Sequence, residues 1–157
     1  MDAVAKRCGA SKATIYRRWA SKTELVVAAA ADLFHAPELP DTGNLREDLL
    51  ACGRAYLQVD SRNDQVLASV ITATRHNEVL RDAAQSAIAA PYSTLFRQVI
   101  TRAVERGLVP ATIDIETLAE IFPAIAYHRV AALGRLVVED DVLRVVDGVL
   151  MPALGQQ

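Results

Sequence analysis

The chain has 157 residues, 52% of them apolar and only 5% aromatic, with a formal net charge of −2. That length suits one domain, or a small module joined to a larger one, and the scarcity of aromatics favours helices packed through small aliphatic contacts over a sheet. No apolar run reaches the roughly 18 residues of a membrane span. Asp2, Lys6 and Arg7 interrupt the region where a leader's apolar core would lie. Two cysteines, Cys8 and Cys52, do not make a disulfide framework. The expectation is a cytoplasmic protein, not a membrane one, with two reduced and mostly buried thiols.

Apolar residues recur with a helical period nearly throughout, and nothing alternates with period two, so the predicted fold class is all-α. Met1 to Cys8 reads as the end of a helix with Val4, Ala5 and Cys8 on one side. Gly9 supplies a left-handed stop and Ser11 the next N-cap. A short helix follows from Lys12 to about Trp19, in which Ile15 and Trp19 face one way. Ser21-Lys22-Thr23-Glu24 has the capping-box form and opens a third helix that ends near His35. "HAPELPDTGN" (35–44), with two prolines and a glycine, is the clearest linker, and it divides the chain into 1–35 and 36–157.

Beyond the linker, Asn44 caps a helix with Leu45, Leu49, Cys52 and Tyr56 on one face. Val66, Leu67, Val70 and Ile71 mark the next, and Asn77 caps another to about Ala89. Pro91 is predicted to open a long helix closed by Gly107, and Asp114 one to about Leu133 that Pro123 should kink. Asp140 or Asp141 is predicted to cap the last helix, through Leu150, with Pro152 beyond it. The last two helices are apolar around more than one stripe, more than one core-facing side requires. The predicted reason is a partner chain, so Leu118, Phe122, Ile125, Arg129, Val142, Val145, Val146 and Val149 are expected in a homodimer interface.

Charge is unevenly spread. Residues 1–25 hold six basic side chains against two acids, including all three lysines, while the rest holds eleven arginines against seventeen acids. A basic head on an acidic body points to a polyanion at the head. The head is also a helix, a glycine-containing turn and a short second helix, which is the helix-turn-helix pattern. In such a unit the second helix enters the major groove N-terminus first. That places Ser11 and Lys12 near phosphate, and turns Ala13, Thr14, Tyr16, Arg17 and Arg18 outward. Arginine can fork onto guanine, methyl groups can meet thymine, and Lys22 opens the next helix within reach of a phosphate.

The residues go further than the pattern. "VAKRCGASKATIYRRWASKTEL" resembles the helix-turn-helix of the TetR family of bacterial transcriptional regulators, through Gly9, Ser11, Thr14, Ile15, Tyr16, Trp19, Ser21, Lys22 and Leu25. The resemblance implies a double-stranded DNA operator read by a homodimer, with Lys12, Thr14, Tyr16, Arg17 and Lys22 as the foremost contacts. It implies a helical effector-binding and dimerisation domain, no cofactor, no metal and a bacterial cytoplasm. A small lipophilic effector would release the DNA, with Phe34, Tyr56, His76, Tyr92, Phe96, Phe122, Tyr127 and His128 as candidate pocket residues. The family's head has three helices and this sequence starts inside the second, so the 157-residue chain is expected to dimerise but to bind operator weakly or not at all.

An enzyme is not expected: His35, His76 and His128 lie far apart, and no nucleophile-elbow, phosphate-loop or dinucleotide fingerprint occurs. Two alternatives stand beside the regulator. One is a ligand-binding dimeric protein without DNA function, the other a thiol-based sensor using Cys8 and Cys52, although both cysteines read as apolar-facing.

Overall fold

The computed structural model describes residues 1–33, 38–57, 69–70, 72–74 and 77–156, and among them every regular element is helical. Helices α1 (Asp2–Arg7), α2 (Lys12–Arg18) and α3 (Lys22–Leu33) form the head and its outgoing helix. Then come α4 (Leu45–Arg54) with a 3-10 turn at Ala55–Leu57, α5 (Glu78–Ala84), α6 (Ala90–Glu105), α7 (Ile115–Leu133) and α8 (Glu139–Val145). A short piece, Met151–Ala153, ends the chain's helical part.

Local chemistry sets most of these bounds. A helix start has backbone N–H groups without partners, and a short polar side chain one residue before can accept from one of them. Asn44 accepts from Glu47 N–H at 3.2 Å, Asn77 from Leu80 N–H at 2.9 Å and Asp114 from Thr117 N–H at 3.1 Å. At the other end of α6, Gly107 takes a left-handed φ of +71°. Its own N–H and that of Leu108 then turn back onto the Val104 and Ala103 carbonyls, both at 2.9 Å.

Three predicted boundaries differ. Pro91 does not open a new helix: residues 78–105 are helical without a break, passing through a π turn at Gln85–Ala89 just before it. A wider turn relieves the proline ring's collision with the preceding turn, so the helix continues. The last helix is capped two or three residues earlier than Asp140 or Asp141, by the extended backbone of Val138. Asp141 instead reaches back as the third helical residue and accepts Val138 N–H at 3.2 Å. That helix also runs past Leu150 through a second π turn, Val146–Leu150, and across Pro152. Of the predicted 66–71 helix, Val70 is buried, while Val66, Leu67 and Ile71 lie outside the described residues.

The core sits where α4, α6, α7 and α8 meet, around Leu49, Leu50, Cys52, Phe96, Val99, Ile100, Phe122, Val142, Val146, Leu150 and Leu154. Gly53 lets α4 approach this closely: a Cβ there would lie 2.6 Å from Val142 Cγ1 and 3.2 Å from Phe122 Cε2. A polar strap closes one side. Asp48, 3% exposed, accepts Thr42 N–H at 2.8 Å and the Thr42 hydroxyl at 2.7 Å. Its second oxygen takes the Arg102 guanidinium at 3.0 Å. Arg102 also donates to the Pro40 carbonyl, and Arg106 forks onto both Asp41 oxygens at 3.0 Å. That fork, with the Arg102 charge beside it, holds the Asp41 carboxyl below the ordinary carboxylate range. The segment after α3 is thereby tied to α6. No helix among the described residues is long and apolar enough to cross a membrane.

Candidate nucleic-acid interface

The head's turn is built by backbone bonds that only a left-handed residue permits. Gly9, at φ +61°, lets Ala10 N–H reach Ala5 O at 3.0 Å and its own N–H reach Lys6 O at 3.4 Å. That pair of bonds closes α1 and reverses the chain within three residues. Ser11 then caps α2: its Oγ accepts Thr14 N–H at 3.0 Å and lies 2.8 Å from Thr14 Oγ1. Ile15 is buried against Ala5, Trp19 is half-buried, and α2 is thereby fixed to α1 by one side only. The start of α3 is capped as predicted by Ser21, which accepts Glu24 N–H at 3.0 Å. Glu24 reaches back to Ala20 N–H at 2.7 Å, one residue before the expected position.

The opposite side of α2 is open. Ser11, Lys12, Ala13, Thr14, Tyr16, Arg17, Arg18 and Lys22 are all exposed, as are Lys6 and Arg7. Lys12 pairs with Asp2, and since both side chains are well exposed the pair is worth little. Arg18 lies over the Trp19 ring, 4.9 Å from its centroid, a cation–π placement that sequence spacing did not reveal. The Ser11 and Thr14 hydroxyls are engaged in the cap, while the Thr14 methyl, the Tyr16 ring and the Arg17 fork stand exposed on that face.

The candidate effector residues fall into two groups. Tyr56, Tyr92, Phe96 and Phe122 come together: Tyr56 lies 4.9 Å from Tyr92 and 5.1 Å from Phe122, ring centre to ring centre, and Phe96 stacks on Phe122 at 5.3 Å. Burial pushes the Tyr56 and Tyr92 phenols above their ordinary value, so both stay neutral. Tyr127 and His128 do not join them. Five and six residues past Phe122, they turn to the other side of α7 and are exposed, Tyr127 by 56%. Phe34 and His76 lie outside the described residues.

The expected partner-facing residues also divide. Phe122, Val142, Val145 and Val146 belong to the chain's own core, at 2, 0, 6 and 0% exposed, so they offer no surface to a second copy. Leu118 and Ile125 pack half-buried against that core. Arg129 pairs with Asp141 at 2.7 Å and ties α7 to α8 within one chain. Of that set Val149 is exposed, at 41%; Tyr127 and Leu133 on α7 and Leu136 and Val138 in the loop that follows it are exposed too.

The thiols differ as well. Cys52 is buried, but Cys8 is exposed rather than apolar-facing, because α1 ends beside it and nothing covers that side among the described residues. Burial, and then the Asp48 charge, push the Cys52 thiol up to about 12, which leaves it without thiolate at neutral pH. Iodoacetamide is therefore expected to modify Cys8 on the folded protein and Cys52 only after denaturation, read by peptide mass spectrometry. Equal labelling of both under native conditions would contradict the packing around α4. A sensor that needs Cys52 is incompatible with this site.

Residues 1–35 match the family model described as bacterial regulatory proteins, tetR family, and residues 39–149 the one described as tetracyclin repressor-like, C-terminal domain. Over 155 residues the chain is 33% identical to an uncharacterized HTH-type transcriptional regulator of Mycobacterium tuberculosis, covering 98% of this chain and 77% of the relative. It is 38% identical over 157 residues to a DNA-binding transcriptional repressor TetR of Mycobacteroides abscessus, covering 93% and 82%. The crystal structure of a TetR family transcription regulator superposes with a TM-score of 0.72 at 29% identity, over 94% of this chain and 85% of that one.

Proposed function

The chain belongs to the TetR family of bacterial transcriptional regulators, and from that premise we propose that it is a ligand-responsive repressor. In this reading a homodimer holds a palindromic operator and a small lipophilic molecule releases it. The observation that carries the reading is the open side of α2. Lys12, Thr14, Tyr16 and Arg17 are exposed together on a short, capped helix whose other side is anchored by Ile15, and Lys22 is exposed at the start of the next helix.

Each group has a distinct task on a duplex. The Arg17 guanidinium, exposed in the last turn of α2, forks onto guanine O6 and N7. The Thr14 methyl meets a thymine methyl, while Lys12, Lys22 and the Tyr16 hydroxyl hold phosphates and set the register. Reading successive major grooves requires the dimer to hold two such helices about 34–36 Å apart, one turn of the duplex. The aromatic cluster supplies an apolar wall of the kind that a lipophilic effector requires.

The test is binding to the DNA upstream of the protein's own gene, measured against random duplex at several salt concentrations. Arg17→Ala is expected to cost about 1–3 kcal/mol on the cognate site and much less on random DNA. Lys22→Ala should weaken both alike and lower the salt slope by about one. Equal losses on cognate and random DNA for Arg17→Ala would remove its base-reading role. Cognate binding no tighter than random at every salt, both for this chain and for a version extended upstream by the head's first helix, would remove the repressor reading itself. A bound complex that no lipophilic compound in a broad panel dissociates would remove its ligand-response part.

A further inference from the structure

Two acids stand among the first 25 residues, against six basic side chains. Glu24 is engaged by the backbone: its carboxylate accepts Ala20 N–H, and its own N–H is held by Ser21. Asp2 has no such duty. Met1 takes the cap position of α1 without a side-chain bond, and the Asp2 carboxylate reaches across to α2, where it pairs with Lys12. Lys12 is the first residue of that helix and follows its Ser11 cap. The pair therefore joins the start of one helix of the motif to the start of the other.

The partner is particular. Among the described residues, Lys6, Arg7, Arg17 and Lys22 are exposed and have no acid at ion-pair distance, while Arg18 lies over Trp19. So the one acid of the head that its backbone does not use holds the one lysine at the leading end of the recognition helix. The Asp2 and Lys12 side chains are 79 and 55% exposed, which leaves the pair open to solvent and to any polyanion that meets this side.

We propose that Asp2 is an intramolecular competitor of DNA phosphate for Lys12, and so a limit on how tightly the head holds any duplex. A carboxylate oxygen and a phosphate oxygen ask for the same ammonium group, and a phosphate brought to Lys12 also approaches the Asp2 charge, which repels it. Lys12 thus reaches the duplex by leaving Asp2. An exposed pair holds weakly, so the competition lowers affinity by a small factor and does not block binding. Phosphates recur along every sequence, so cognate and random DNA lose alike. Salt screens the pair, which makes the competition strongest at low salt. The inference rests on the DNA-binding reading above, and Lys22→Ala serves to separate the two.

The experiment is a double-mutant cycle on duplex binding, read by fluorescence anisotropy with cognate and random DNA at several salt concentrations. It uses this chain and a version extended upstream by the head's first helix. Asp2→Asn keeps the shape of the side chain and removes its charge. At low salt it is expected to tighten binding to both DNAs. In the Lys12→Ala background the same change should gain less, by a factor of about two to five, and the difference should shrink as salt rises. A gain of equal size in both backgrounds is mere relief of repulsion and overturns the proposal, as does no gain at all. Should asparagine disturb the head's helicity, judged by circular dichroism, Asp2→Ala is read by the same criteria. Lys22→Ala weakening both DNAs, with no excess for Asp2→Asn, would leave the regulator reading standing and the competition refuted. An excess seen on DNA that neither form of the protein binds specifically would do the reverse. No binding of any duplex by either form removes both.

Discussion

Asp48→Ala is expected to lower the unfolding free energy by about 3–5 kcal/mol, a large share of the roughly 5–15 kcal/mol that holds a domain of this size. The reason is what the carboxylate leaves behind. Arg102 is only 17% exposed and would keep its charge with one partner fewer, while Thr42 would lose the acceptor of both its N–H and its hydroxyl. Removing one member of a buried pair costs more than the pair contributes, because the remaining charge stays out of water. Asp48→Asn keeps an acceptor for Thr42 and should lose less. Asp48→Ala combined with Arg102→Met should recover part of the loss, since no charge is then stranded. Guanidinium titrations of the four proteins check this, with the midpoint falling and the slope unchanged. A loss below about 1 kcal/mol for Asp48→Ala would mean that water reaches Arg102 and the strap is open in solution.

Phe122→Ala is expected to cost a similar amount, about 3–5 kcal/mol, through lost apolar transfer and the cavity left behind. Phe122 sits against Phe96 and Tyr56, and α4 approaches it so closely at Gly53 that no side chain is available there to fill the space. Tyr127→Ala, five residues further on the same helix, is expected to change the fold's own stability by no more than about 0.5 kcal/mol. Under the proposed dimer it should instead weaken self-association, which sedimentation at several concentrations would register. If Tyr127→Ala unfolded dilute protein while Phe122→Ala left it intact, the phase assigned to α7 would be wrong.

That pair of residues also marks how far the sequence can be read. Both are aromatic, both stand in an apolar helix, and both were reasonable candidates for a pocket or a partner. Which one points inward depends on α4 and α6, elements tens of residues away that periodicity within α7 does not identify. The same holds for Val142 and Val146, which were expected at a partner surface and are wholly buried in the chain's own core. The strap is a further case. Asp48 and Arg102 stand 54 positions apart, and neither lies in a motif that would pair them.

What the sequence determined by itself are the features decided within about four residues of backbone. Ser11, Ser21, Asn44, Asn77 and Asp114 cap the helices they were expected to cap, and Gly9 and Gly107 end theirs, because a lone N–H or carbonyl finds its partner one turn away. The recognition motif belongs to this class: its turn, its cap and its outward row of basic residues are all local. Tertiary structure decided the phase of each apolar helix, the passage of helices through Pro91 and Pro152, and the burial of one thiol with the exposure of the other. Those outcomes depend on volume and charge brought together from distant parts of the chain, where packing sets the rotation of a helix and its own hydrogen bonds do not.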